Sequence, residues 1–407
     1  MDFEEKKYWV LFNVFEGIGP LRFKLLLDYF ESAKNAFNAS EAILREIGLG
    51  EKLVTRFLNF RKEKFDIDSY FLRLEKLKIQ VLCYEEENYP KLLKEIADKP
   101  PILYVKKATA PTDFDIHRGN GGISSSVRSG EKDLLALQTS ARIVRDDNLL
   151  NRKALAVVGT RKVTSYGRQV TEMITEGLVN SGLVIVSGLA RGVDEIAHET
   201  TIRNGGLTIA VLGCGLDLVY PPEHRDLADK IVESGGALVS EYPLGTPAVP
   251  GNFPARNRII SGLSLGVVVT EAAEDSGSLI TASDAGEQGR EVFAVPGPIT
   301  SPLSRGTSEL LKKGAKVVSG VEDILEELGV TGIRKMRDVR GVGGVGDMRD
   351  LGSEEKKIVE LLENENLHID EIARKLGIDS GKVGGILSIL EIKGIIKNFG
   401  EGIYGLR

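Results

Sequence analysis

Apolar residues along this chain follow two periods, and each change of period marks a boundary. Over residues 1–78 they recur at helical spacing, as in Leu21, Leu25, Leu26 and Phe30. Residues 79–106 hold two short apolar runs, Ile79–Tyr84 and Ile102–Val105, with Tyr89-Pro90 and Pro100-Pro101 between them. That is a strand-and-turn lead-in to the core of the chain. From Ala154 to residue 330, short apolar runs alternate with helical stretches. The runs predict strands at 154–158, 183–187, 208–212, 237–240, 266–270, 292–295 and 315–318. Each is nearly continuous in apolar residues, the mark of a strand buried on both faces of a parallel sheet. Helices at 168–180, 193–204 and 278–288 lie between them. The alternation predicts a doubly wound α/β domain with its ligand at the carboxyl ends of the strands. Residues 107–153 break the pattern. Asn120-Gly121-Gly122 and Ser124-Ser125-Ser126 belong to a polar segment with no clear period, an insertion or mobile loop. A linker rich in Gly, Arg and Asp covers 331–352. Beyond it, 353–407 reads as three short helices (354–362, 369–376, 382–392) and a hairpin (395–406) around Gly400-Glu401-Gly402.

Composition changes the picture only in places. Of 407 residues, 42% are hydrophobic and 28% charged, the make-up of a soluble globular protein. No apolar run approaches the ~20 residues a membrane helix needs. The acidic start differs from the basic start of a signal peptide, so the expected location is cytoplasmic. Cys83 and Cys214 stand far apart without a CxxC partner, which suggests neither a disulfide framework nor a zinc site. A net charge of −6 argues against a general nucleic-acid coat but allows a local basic patch. Three helices plus a hairpin is the winged-helix pattern, with Ser380–Lys393 in the recognition position. That module carries eight Lys/Arg and ten Asp/Glu, so DNA and protein contact both stay open. Near the start, Gly17-Ile18-Gly19 and Gly48-Leu49-Gly50 each join two helical segments and resemble the helix-hairpin-helix motif. That motif offers backbone N–H groups to a phosphate; packing or protein docking is the alternative.

The candidate chemistry lies at the strand ends. Val158-Gly159-Thr160-Arg161, Ser187-Gly188-Leu189-Ala190-Arg191, Leu212-Gly213-Cys214-Gly215 and Ser276-Gly277-Ser278 put glycines and hydroxyls before helix starts. Such corners suit phosphates, and several along one edge fit an extended phosphodiester better than one small ligand. Phe253-Pro254-Ala255-Arg256-Asn257-Arg258 adds an aromatic and two guanidinium groups, forked donors for phosphate oxygens. The same arginines also fit internal salt bridges. No G-x-G-x-x-G, P-loop, metal-ligand cluster or catalytic constellation is present, and no cofactor or metal is expected. His198, following Asp194 in a helix, reads as structural.

These motifs, taken in order with Tyr220-Pro221, Ser240-Glu241-Tyr242-Pro243, Gly289-Arg290 and Val295-Pro296-Gly297, make residues 154–320 closely resemble the DNA-processing protein A (DprA/Smf) family. The resemblance implies an extended Rossmann-like core between an N-terminal helical (helix-hairpin-helix/SAM-like) domain and a C-terminal winged helix. It implies a protein that binds and protects single-stranded DNA, forms a homodimer and loads a RecA-type recombinase during natural transformation and recombination. Carried over by motif, the DNA-binding residues are Arg161, Arg225, Phe253, Arg256, Asn257, Arg258, Gly188, Gly277 and Ser278, with no catalytic residue. Two features depart from the family pattern: the long 107–150 segment, and Gly306-Thr307-Ser308 in place of the usual Gly-Thr-Asn. Two other readings compete. The core is distantly similar to Rossmann enzymes that cleave nucleoside monophosphates, whose Pro-Gly-Gly-x-Gly-Thr motif is replaced here by Ser276-Gly277-Ser278. The third is a dimeric protein-binding adaptor.

Overall fold

The computed structural model describes residues 1–108, 148–330, 352–362, 365–392, 395–400 and 402–406. The body of the expected insertion and linker lies outside them. The chain separates into two compact units, Met1–Arg334 and Lys335–Arg407.

In the first unit six helices come first: α1 (Phe3–Val14), α2 (Pro20–Phe30), α3 (Ala33–Asn38), α4 (Glu41–Glu46), α5 (Glu51–Glu63) and α6 (Ile67–Lys76). Side-chain caps start most of them. Asp2 accepts from Glu5 N at 2.7 Å, and Ser32 and Ser40 do the same for α3 and α4. Their core is aromatic, with Trp9 edge-on to Phe23 and Phe12 stacked on Phe57. The glycine turn joining α1 to α2 packs against α5. A Cβ on Gly17 (φ +120°) would meet Leu53 Cδ1 at 2.8 Å, so this position demands glycine twice over.

The rest of the unit is one nine-stranded sheet. Its strands are β1 (Ile79–Cys83), β2 (Ile102–Lys107), β3 (Ala154–Val158), β4 (Val184–Ser187), β5 (Thr208–Val211), β6 (Ala237–Ser240), β7 (Gly266–Val269), β8 (Glu291–Ala294) and β9 (Lys316–Val317). The spatial order is β1-β2-β6-β5-β4-β3-β7-β8-β9. Strands β3 to β9 run parallel to one another, as the apolar runs predict. One edge goes beyond the expected lead-in. Both of its strands belong to the sheet, with β2 antiparallel to β6 and β1 antiparallel to β2. Ile102, Leu103, Tyr104 and Val105 are all buried because the strand is covered on both faces and flanked on both sides.

Helices α8 (Ser165–Asn180), α9 (Val193–Arg203) and α14 (Val321–Glu327) cover one face of the central strands. The other face carries α7 (Lys91–Glu95), α11 (Asn252–Gly262) and α12 (Ser278–Glu287). The N-terminal helices share a single core with β1, β2 and α10 (Arg225–Glu233), while α13 (Arg305–Lys312) precedes β9. A hydrogen-bonded line fixes them there. Leu244 N donates to the Tyr70 hydroxyl at 2.9 Å, Tyr70 to Tyr104, and Tyr104 to Asn13 at 2.9 Å.

The second unit has α15 (Ser353–Leu362), α16 (Ile369–Leu376) and α17 (Ser380–Ile392), with a three-stranded sheet of β10 (Leu367–His368), β11 (Ile396–Gly400) and β12 (Ile403–Leu406). This is a winged helix. Its α17 displays little cationic surface, since Lys382 is paired with Glu354 at 2.6 Å. No helix among the described residues is long and apolar enough to cross a membrane.

Candidate nucleic-acid interface

The chain leaves β3 toward β4, β5 and β6, then returns to the other side of β3 as β7. A crevice therefore opens where the loops after β3 and β7 part, the place where open α/β sheets take ligands. Glu271, buried in the second loop, closes its floor. Its carbonyl accepts from Thr160 N at 2.7 Å, and its carboxylate accepts from Thr164 N at 2.9 Å and Thr164 Oγ1 at 2.6 Å. The carboxylate is thus directed into the protein, away from an incoming anion.

Beside the crevice three side chains form a row. Phe253, in the first turn of α11, is half-buried. The Tyr220 ring lies 5.5 Å from it, tilted by 42°. Arg161 Cζ stands 5.5 Å from the Phe253 centroid, a cation–π contact. Arg161 and Tyr220 are exposed, and so are the neighbouring Lys162 and Arg225. An aromatic platform with a guanidinium at its edge can stack a base and hold its phosphate.

The structure corrects the assignment of the two arginines in the middle of the motif. Arg256 is 3% exposed. One terminal nitrogen donates to Gly188 O at 2.7 Å and also to Val211 O, so the group ties together the ends of β4 and β5. It fills the space beside Gly188, where a Cβ would meet the guanidinium at 2.3 Å. Asp194 braces the same loop from behind, accepting from Gly188 N at 3.1 Å and Ala190 N at 3.3 Å. Burial pushes the Asp194 carboxyl up, and the Arg256 charge opposes that shift. Arg258 is 9% exposed. It makes a bidentate pair with Glu241 at 2.8 and 2.7 Å and reaches Asp98 at 2.8 Å. Burial alone would lower its pKa, but the two carboxylates outweigh burial and raise it. Phe253 and Asn257, four residues apart, share one side of α11. Arg256 and Arg258 instead leave the helix in nearly opposite directions and are captured by separate internal partners, Gly188 and Val211 for one, Glu241 and Asp98 for the other.

Of the other expected residues, Asn257 donates to Gly277 O at 3.2 Å, joining α11 to the start of α12. Gly277 is exposed and Ser278 is buried with its hydroxyl 2.8 Å from that of Ser276. Exposed Glu274 and Asp275 precede this corner and weaken it for a phosphate. Gly188 is buried and shapes the site from below. Arg225 opens α10, three residues after the Pro222 that follows Tyr220-Pro221. Sequence reasoning overlooked Tyr220 as a ring of the platform and Lys162 beside Arg161. The signals were present in Tyr220-Pro221 and in the run Thr160-Arg161-Lys162. His198 is structural: buried, 2.7 Å from Thr208 Oγ1, with burial pushing its pKa down to about 3. No metal-binding group of His, Cys, Asp or Glu occurs among the described residues.

Residues 146–329 match the family described as DNA recombination-mediator protein A, and 347–399 match the DprA winged helix domain. Protein Smf of Synechocystis sp. is 36% identical over 326 residues, 80% of this chain and 73% of that protein. DNA processing protein DprA of Streptococcus pneumoniae is 39% identical over 268 residues, 66% of this chain and 81% of that one. The X-ray structure of the Streptococcus pneumoniae protein superposes with a TM-score of 0.62 at 32% identity, covering 80% of this chain and 99% of its own.

Proposed function

Because the chain belongs to the DNA recombination-mediator protein A (DprA/Smf) family, we propose that the carboxyl edge of its sheet binds single-stranded DNA. The observation that carries the reading is the row Arg161–Phe253–Tyr220. Bases stack on the rings, and Arg161, with Lys162 and Arg225 in support, takes phosphates. Arg256 and Asp194 position the loop on which this surface rests. The function is binding, so the nucleotide-cleaving alternative lapses. Family membership also supports the finer reading: a homodimer that protects incoming strands and loads a RecA-type recombinase in transformation.

Anisotropy titrations of labelled oligothymidylate against duplex, at several salt concentrations, test the core of this. Single strands should bind more tightly, and Arg161→Ala should lower the salt slope by about 0.7, one phosphate contact's worth on a single strand. Equal affinity for duplex, or an unchanged slope, would remove the assignment.

A further inference from the structure

The groove between the N-terminal helices and the 241–252 loop, about 1080 Å³, keeps its rings Trp9, Phe12, Phe15 and Phe23 only 1–6% exposed. A smaller cavity of about 310 Å³ has its rings within reach of a ligand, and its lining comes entirely from residues 4–67. Two aromatic pairs wall it. Tyr8 of α1 and Phe37 of α3 have centroids 5.5 Å apart, and Phe60 of α5 and Phe65 have theirs 6.2 Å apart. All four rings are half-buried, so each keeps part of its surface open beside buried Leu11.

Of the charged residues in this lining, Lys7, Arg61 and Lys64 are cations and Glu4 is a carboxylate. Lys7 is held between Glu4 at 3.0 Å and Asp68 at 2.9 Å. Nearby Asp66 is turned to cap α6, accepting from Ser69 N at 3.0 Å. Arg61 and Lys64 have no carboxylate partner among the described residues. Arg61 gives one nitrogen to Ala39 O at 2.8 Å and lies over the Phe37 ring, 5.8 Å from its centroid. That fixes the guanidinium at the wall and leaves its other N–H groups for an acceptor. Lys64 ends α5 with φ +49°, in the left-handed region that helices normally give to glycine. The strained position thus carries an exposed ammonium at the rim. Asn38 gives Nδ2 to Lys34 O at 2.9 Å and keeps Oδ1 for an incoming donor.

Aromatic walls take a flat ring, two uncompensated cations take an acidic group, and the volume stands at the small end of ligand pockets, about 300–1,000 Å³. We propose that this cavity binds a single nucleotide, with its base against the ring pairs and its phosphate on Arg61 and Lys64. The nucleotide is either free or the terminal one of a strand, since the two share this chemistry. The reading is independent of the strand-binding edge, which shares no residue with the lining.

The test is calorimetric titration of the full-length protein carrying Arg161→Ala and Phe253→Ala, which remove the strand-binding row, with dTMP and thymidine as probes. In that background dTMP should bind saturably, and thymidine at least about tenfold more weakly. Lys64→Gly, which suits φ +49°, and Arg61→Met, which keeps a side chain over Phe37, should each weaken dTMP by about tenfold and leave thymidine unchanged. Thermal melts check that both variants fold. The proposal is overturned if dTMP does not bind in this background, if thymidine binds equally well, or if Lys64→Gly leaves dTMP affinity untouched. Displacement of dTMP by oligothymidylate identifies a strand end as the occupant, and its absence a free nucleotide; the cavity is the site in both cases.

Discussion

The ligand edge of the sheet and the groove beside the N-terminal helices meet at the first turn of α11, and aromatic rings form the base of both. They differ in the charges that reach solvent. At the edge, Glu271 is buried with its carboxylate bonded inward, while Arg161, Lys162 and Arg225 stay exposed. In the groove Arg258 is bonded inward to Glu241 and Asp98, but Arg73 is 56% exposed beside Asp217. Arg22 and Arg56 stand exposed on the carbonyls of Gly17 and Glu16, and Glu16 and Asp66 stay exposed too, so both signs of charge reach solvent there. Counting arginines in the sequence cannot make this distinction, because the pairing state of each one decides what it offers.

The comparison breaks first at Arg256. If it is internal, Arg256→Ala removes a charge that favours ionised Asp194 and strips two buried carbonyls of their donor, a loss of about 1–3 kcal/mol. Thermal melts should show it, with DNA affinity reduced and the salt slope unchanged. A variant of normal stability with a flatter slope would return Arg256 to the DNA surface.

Phe253→Ala comes next. Losing a base–aromatic stack costs about 1–3 kcal/mol of binding. Oligothymidylate titrations should show weaker affinity at the same salt slope, with folding unaffected because the ring is half-buried at the surface.

Acid acts on the sheet through one buried side chain. His198, against Thr208 at the start of β5, has a folded pKa near 3 against an ordinary 6.5. A depressed histidine pKa gives stability that is full above pH 6.5 and is lost as pH falls, because only the unfolded chain takes the proton. The loss runs to about 1.4 kcal/mol per pH unit below 6.5. Denaturant melts from pH 7 to 5 should slope accordingly, and His198→Asn should flatten that slope.

The smallest effect is expected at Arg225, an exposed cation at the start of α10, five residues after Tyr220. Arg225→Ala should lower oligothymidylate affinity by a few-fold. A loss as large as that of Phe253→Ala would move the platform toward α10.

The parallel strands β3 to β7 were legible in the sequence because burial on both faces leaves a local signature, an unbroken apolar run. Strand β9, exposed at Lys316 and Val317, lies in the run at 315–318 without such burial. The two glycine turns and the winged helix were legible for the same reason, since turn chemistry and period are local. What β2 pairs with was not legible, because the antiparallel register with β6 is set by residues far along the chain. The roles of Arg256 and Arg258 were not legible either. Both are buried by partners far from the motif in sequence, at Gly188, Val211, Glu241 and Asp98. The groove had no sequence signal at all, because its walls come from segments more than 200 residues apart.

The antiparallel edge also sets a timetable during synthesis. Tyr104 on β2 pairs with Ser240 on β6, 136 positions later (240 − 104). At 5–20 residues per second the ribosome needs about 7–27 s to deliver that partner. Until then β2 has only β1 to pair with, so its other row of backbone groups lacks its native partner strand. The nascent chain therefore presents an open strand edge that the finished protein does not have.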